Sequence, residues 1–331
     1  MKDKLLKFWK ENKFYLLALL LVWIISNYRL PYYVATPGGI INIDDRIVYE
    51  DKKEYDGSLN MLYVTQYEAT VPIYLLSYIM NDWDLESIHE NQINEEEDYK
   101  EIDKRNKIML ENSINNARYV AYTASGKRIE VKNKKNLVVA SLVDNGLKIG
   151  DEILSADDKS ISTLEELKEI ITLKEIDDTL SLKIKRDNKE LDIDVLVQDI
   201  EGTKGIGVVV MTNYEYETDP EIELKFKKSE SGSSGGLMMA LSIYATISEE
   251  DVLKGRNIAG TGTIDIDGNV GPIDGIKYKI MGAVKNKMDV VLVPTDNYEE
   301  ALKVVKEKKY DIELVEVKTF NDAIEYLLKE E

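Results

Sequence analysis

Ser229-Glu230-Ser231-Gly232-Ser233-Ser234-Gly235-Gly236 runs straight into Leu237-Met238-Met239-Ala240-Leu241-Ser242-Ile243-Tyr244, and the apolar character continues to Ile247. A helix that is apolar on nearly every side has to be buried. Whatever this chain folds into must therefore enclose that helix and bring a glycine–serine string to its N-terminus. Such strings are usually flexible linkers, but a linker leads into an independent unit, not into a buried helix. Free backbone N–H groups at a helix start point outward and favour negative charge. A serine held there is placed to attack a carbonyl, with neighbouring N–H groups stabilising the oxyanion. Donors of that kind are worth several kcal/mol each.

Such a serine needs a base. The only histidine, His89, lies in the polar stretch Asp84-Leu85-Glu86-Ser87-Ile88-His89-Glu90-Asn91, and there is no cysteine. One histidine cannot build a multi-His zinc site, and no thiolate is available as ligand or nucleophile. No metal and no cofactor is expected. A lysine serves as base when a pocket of low polarity lowers its pKa. Lys277 and Lys279 follow Gly271-Pro272-Ile273-Asp274-Gly275. With Ile276, Ile280, Ala283 and Val284 as the apolar face, helical spacing does not choose between them.

The net charge of -19 argues against nucleic acid as a partner. At the N-terminus, Lys2, Lys4, Lys7, Lys10 and Lys13 precede a continuous apolar run from Phe14 to Ile25. Phe8 and Trp9 before it, and Tyr28, Leu30, Tyr32 and Tyr33 after it, extend it with interfacial aromatics. A cytoplasmic basic tail over 1–13 and a transmembrane helix over 14–33 are expected, with the bulk of the chain outside the cytoplasm. Ser26-Asn27-Tyr28-Arg29 is a poor signal-cleavage site. Residues 30–39 read as an extended exit with a turn. An α/β region over 34–125 follows, with a helix started by Pro72, a solvated acidic loop at 94–98 and an amphipathic helix over 99–123.

Residues 126–202 form a β-rich unit. Leu137–Val143 reads as a strand, Ser162-Thr163-Leu164-Glu165 as a capping box, and Leu180–Lys185 with Leu191–Val195 as a hairpin turning at Asp187-Asn188. With Gly146-Leu147-Lys148-Ile149-Gly150-Asp151-Glu152-Ile153-Leu154 before it, this pattern resembles a bacterial PDZ domain. PDZ domains add an extended peptide to a sheet edge beside a helix.

Over 203–331 the Gly232-Ser233-Ser234-Gly235-Gly236 string, Thr261-Gly262-Thr263-Ile264, and Val270-Gly271-Pro272-Ile273-Asp274-Gly275-Ile276-Lys277-Tyr278-Lys279 occur in order, followed by Val290–Pro294. Together they resemble the proteolytic domain of the Lon protease family. The resemblance implies an α/β (α+β) fold, Ser234 as nucleophile, Lys279 as base and Thr261 as a supporting hydrogen-bond partner. It also implies an oxyanion hole from the backbone of Ser234 and Gly235. Ser233 and Gly235 stand where that family usually has Pro and Ala. The chain has no Gly-x-x-x-x-Gly-Lys-[Ser/Thr] string, so ATP is not expected to be needed. Anchor, PDZ unit and Lon-like unit in one chain are similar to the YlbL/SepM-type proteases of Gram-positive bacteria. The expected function is a membrane-anchored, extracytoplasmic serine endopeptidase acting on peptide or protein substrates, with homo-oligomerisation left open. The alternative is an inactive, membrane-tethered PDZ scaffold.

Overall fold

A computed structural model describes residues 2–49, 56–94, 97–248 and 250–329, with side chains from Lys7 onward. In chain order the first elements are α1 (Lys2–Asn27), β1 (Arg29–Asn42), β2 (Ile47–Val48), β3 (Ser58–Thr70), α2 (Val71–Ser77), β4 (Asp84–Ser87), α3 (Ile88–Asn91) and α4 (Tyr99–Ser125). Then come β5 (Arg128–Ser141), β6 (Glu152–Ala156), β7 (Lys159–Ser160), α5 (Leu164–Thr172), β8 (Thr179–Arg186), β9 (Lys189–Leu196), β10 (Gln198–Ile200), β11 (Thr203–Gly205) and β12 (Val208–Asp219). The last part holds β13 (Glu223–Leu224), α6 (Gly236–Ile247), β14 (Asn257–Gly260), β15 (Thr263–Ile264), β16 (Val270–Gly271), α7 (Ile276–Lys285), β17 (Val290–Pro294), α8 (Thr295–Lys308), β18 (Glu313–Val317) and α9 (Phe320–Leu328). The chain divides into two compact units, residues 1–37 with 64–91 and residues 38–63 with 92–331.

In the first unit α1 is a 26-residue helix whose apolar side chains from Phe14 to Ile25 are largely exposed. Among the described residues no helix is long and apolar enough to cross a membrane. The apolar part of α1 rises only about 18 Å, against about 30 Å of hydrocarbon. The helix also stops at Asn27. Arg29–Tyr33, expected within the membrane helix, instead opens strand β1, which pairs antiparallel with β4 from Tyr32↔Ser87 to Ala35↔Asp84. The expected turn at 30–39 is absent too, since β1 runs unbroken through Pro31, Pro37, Gly38 and Gly39.

The second unit is built on a parallel sheet in the order β18-β17-β14-β3. Its central strands β14 and β17 are short and mostly apolar because both of their faces are covered. Alternate residues part to opposite sides, as the strand period of two requires. Ile258, Val290 and Leu292 face a core shared with α4, α6 and α9. Ala259, Val291 and Val293 face the one beneath α7 and α8. Leu59 and Met61 of β3, and Leu110, Ala117, Val120 and Ala121 of α4, belong to the same core as α6. The stretches 38–63 and 99–125, expected as a region leading into the β-rich unit, thus wall the buried helix.

Between α4 and α6 the chain leaves this core and returns. It does so along the ladder between β5 and β12, which runs from Arg128↔Asp219 to Ser141↔Val208. The inserted sheet has the order β12-β5-β6-β8-β9, and its own core includes Val138, Ile153, Leu167, Leu182 and Val195. Asp187 and Asn188 turn the β8–β9 hairpin with φ of 49° and 63°, a conformation Asn and Asp tolerate. The capping box of α5 lies one residue later than expected, with Thr163 as cap and Glu166 as its partner. The expected solvated acidic loop is only partly surface. Glu95 and Glu96 lie outside the described residues, Asp98 caps α4, and Glu97 is buried with both carboxylate oxygens 2.5 Å from Arg105 Nη1.

Candidate active site

The glycine–serine string is pinned at its carbonyls. Gly232 adopts φ +91° and donates its N–H to Asn106 O of α4 at 2.9 Å. The Ser233 carbonyl accepts from Ser113 Oγ of α4 at 3.0 Å and from Gly236 N at 3.2 Å. The Ser234 carbonyl accepts from Gly262 N at 2.8 Å and Thr261 Oγ1 at 3.0 Å. With these carbonyls fixed, the N–H groups of Ser234 and Gly235 stand at the entrance to α6, where the peptide dipoles concentrate positive potential. Neither donates to a backbone acceptor among the described residues. Ser234 remains partly exposed, whereas α6 behind it is buried from Gly236 to Ala245.

Gly235 and Gly236 are set by space. A Cβ on Gly235 would lie 1.8 Å from Met61 Sδ, and one on Gly236 would lie 2.8 Å from Ile264 N and from Ser113 Oγ. The Gly235 departure from the Lon pattern therefore accompanies Met61 filling the place of a methyl group.

Lys279 comes from α7. Gly275, with φ +68°, opens this helix, and Ile276, Ile280 and Ala283 insert into the core beneath it. That rotation leaves Lys277 half-buried and Lys279 3% exposed, which separates the two lysines that spacing left equivalent. Lys279 Nζ donates to Thr261 Oγ1 at 3.1 Å. Burial lowers its pKa from 10.5 to about 8, with Asp274 pulling weakly the other way. A buried ammonium loses water that one hydroxyl cannot replace, so the neutral amine gains.

Thr261 is fully buried at the carboxyl end of β14, with its N–H on Leu292 O at 3.1 Å. Its hydroxyl accepts from Lys279 and donates to the Ser234 carbonyl. Ser234, Thr261 and Lys279, far apart in sequence, thus share one short hydrogen-bonded chain at the carboxyl ends of the parallel strands. Open α/β sheets place their sites there. Ser234 Oγ itself makes no hydrogen bond with Lys279 among the described residues, and such bonds are often long before substrate arrives. His89 is exposed in α3. No group of three or more His, Cys, Asp or Glu among the described residues is placed to hold a metal ion.

Residues 227–330 match the Lon protease (S16) C-terminal proteolytic domain. Residues 124–197 match a PDZ domain. The chain is 37% identical over 98 residues to the Lon protease of Campylobacter jejuni, covering 29% of this chain and 12% of that protein. It is 30% identical over 118 residues to Lon protease 2 of Borreliella burgdorferi, covering 35% and 15%. The chain thus spans well under a fifth of the length of these curated relatives. A crystal structure of the PDZ domain of an SdrC-like protein from Listeria monocytogenes is 26% identical, covering 24% of this chain and 92% of that one with a TM-score of 0.22.

The Lon-like region carries all three expected side-chain positions, but not all of its surroundings. Asn106, Ser113 and Asn116 of α4 and Met61 of β3 lie before the PDZ-like insertion. Asn116 Nδ2 reaches Ile264 O at 3.0 Å. The sequence held one sign of this, since Ser113 breaks an otherwise apolar helical face between Leu110 and Ala117. In the PDZ-like region, sequence left the ligand edge unnamed. The sheet order makes β12 an edge strand, and α5 lies beside it. Ile206 and Gly207 (φ +68°) lead into that edge, with Leu142 N on Gly207 O at 2.7 Å.

Proposed function

We propose that this chain is a serine endopeptidase of the YlbL/SepM type, acting without ATP through a Ser234–Lys279 dyad. The observation that carries the reading is the burial of Lys279. Its amine, held on Thr261, is lowered to a pKa of about 8 and so is partly neutral at ordinary pH. Neutral Lys279 takes the proton from Ser234 Oγ as the oxygen attacks the scissile carbonyl carbon. The oxyanion faces the N–H groups of Ser234 and Gly235. The Lys279 ammonium then gives its proton to the leaving amine, and water hydrolyses the acyl ester with Lys279 again as base. Thr261 keeps amine and nucleophile loop in register. The open edge of β12 receives an extended substrate segment as an added strand.

The protease is held at a membrane by α1, with its N-terminus cytoplasmic and its catalytic unit outside. Supporting this are the apolar side chains exposed around α1 and the lysines that precede them. Local thinning of the bilayer and snorkelling lysines accommodate a short span at a cost of a fraction of a kcal/mol per Å.

The test is cleavage of an unstructured protein without ATP by the parent, Ser234→Ala and Lys279→Ala chains, with fragments followed by mass spectrometry. Cleavage by the parent that disappears in both variants is expected. Cleavage that survives in either variant places the chemistry elsewhere.

A further inference from the structure

The stretch Val71–Asn81 carries no charged residue; its nearest charges are Glu68 and Asp82. It is nonetheless displayed to solvent. Leu75, Leu76, Tyr78, Ile79 and Met80 are all exposed, Ile79 to 76%. Only Ser77 of α2 is buried, with its hydroxyl on Tyr74 O at 2.7 Å. Large apolar side chains clustered on a surface mark something that covers them.

The place of this patch says what covers it. Only Tyr28 separates the end of α1 from the start of β1. Arg29, the first residue of β1, pairs with Glu68 of β3 at 2.5 Å, three residues before α2 begins. The Tyr32 ring lies 5.5 Å from that of Tyr74, and Tyr74 meets Tyr78 edge-on at 5.4 Å with their hydroxyls 2.9 Å apart. These ties fix α2 beside the end of α1. The apolar display therefore continues from Trp23, Ile24 and Ile25 onto α2. Tyrosine and tryptophan are the residues that favour the boundary between hydrocarbon and water. Tyr28, Tyr78 and Trp83 border this patch, with the charges of Asp82 and Asp84 beyond it.

We propose that the tip formed by α2 and Tyr78–Met80 is a second membrane contact, lying in the interfacial layer of the leaflet from which α1 emerges. The occupant is a lipid surface, reached by Leu75, Leu76, Ile79 and Met80, with Trp83 at headgroup depth. An apolar segment in that layer gains from burial without spanning. The first unit then meets the bilayer at two points, which fixes its tilt as one helix alone cannot. This inference rests on the reading of α1 as the membrane attachment.

The chain has three tryptophans, Trp9, Trp23 and Trp83, so each contact has its own reporter. The full chain is placed in phosphatidylcholine–phosphatidylglycerol vesicles with brominated acyl chains, which quench nearby indoles. Trp9→Phe/Trp23→Phe leaves Trp83 to report on α2. Trp9→Phe/Trp83→Phe leaves Trp23 to report on α1. Both single-tryptophan proteins are expected to lose emission relative to unbrominated vesicles. Adding Leu75→Ser and Ile79→Ser to each is expected to abolish quenching of Trp83 and leave that of Trp23 intact. Both sites are exposed, so the core is untouched. Quenching of Trp23 without Trp83 overturns the second contact and leaves the anchor. Quenching of neither overturns both. Quenching of Trp83 alone overturns the anchor and, with it, the reading of α2 as a second contact. Trp83 emission that responds to protein concentration and not to brominated lipid assigns the patch to a second copy of the chain and overturns the proposal.

Discussion

Replacing Lys279 by Met is expected to stabilise the protein while abolishing its activity. In the folded chain Lys279 titrates near 8 instead of 10.5, chiefly through burial. The gap corresponds to about 3 kcal/mol at the usual conversion. Above pH 10.5 the amine is neutral in folded and unfolded chains alike, and it contributes no pH dependence. As pH falls from 10.5 towards 8, the unfolded chain binds a proton that the folded chain does not, so stability is lost. Below that window the full penalty stands. Methionine has similar length and no charge to desolvate. At neutral pH the variant therefore gains about 3 kcal/mol, less about 1 kcal/mol for the lost hydrogen bond to Thr261. The assay is urea unfolding followed by far-UV circular dichroism, parent beside variant, at steps from neutral to strongly alkaline pH. The difference should narrow as pH rises through the window and vanish or reverse above it. A difference that does not change with pH, or a parent more stable at neutral pH, refutes the account of Lys279 as a strained buried amine.

Cleavage rate with substrate below saturation should rise with pH to a plateau, half-maximal near the Lys279 value of about 8. Between pH 7 and 9 this amounts to roughly a tenfold gain, and a flat profile excludes lysine as base. Thr261→Val removes the hydroxyl that joins Lys279 to the Ser234 carbonyl. It should lower kcat about tenfold or more with little change in KM, and Thr261→Ser should restore most of the loss. Gly235→Ala drives a methyl group into Met61 Sδ, costing about 1–3 kcal/mol. Met61→Ala in the same chain should relieve the clash. A double-mutant cycle in which the two changes merely add would show that Met61 is not what limits residue 235.

The features legible in the sequence are those whose pattern is local. The all-apolar run after Gly236 announced a buried helix, and Asp187-Asn188 announced a hairpin turn. The choice between Lys277 and Lys279 was not local. Both flank the apolar stripe of α7, and only the packing of Ile276, Ile280 and Ala283 decides which amine loses water. Strand β1 was hidden because Pro37, Gly38 and Gly39 read as a turn. Gly38 instead lets the backbone of Tyr63 approach, where a Cβ would lie 1.9 Å from its carbonyl oxygen. Glu97 looked like one more solvated acid until Arg105, eight residues on, was seen beside it. The support of the nucleophile loop by Ser113 and Asn106 was concealed by the insertion, which separates α4 from the loop it holds.

That insertion also bears on how the chain reaches its fold. α4 and α6 meet across the entire PDZ-like stretch, a closure whose entropic cost grows with the logarithm of the loop. Once β5 and β12 have zipped together, Arg128 lies opposite Asp219. The distance still to be closed is then only the short segments on either side. The inserted sheet is, in this sense, a clasp. Fastening it first turns a remote encounter between two helices into a nearly local one, and slow pairing at the base of that ladder would delay the step that brings α4 to the nucleophile loop.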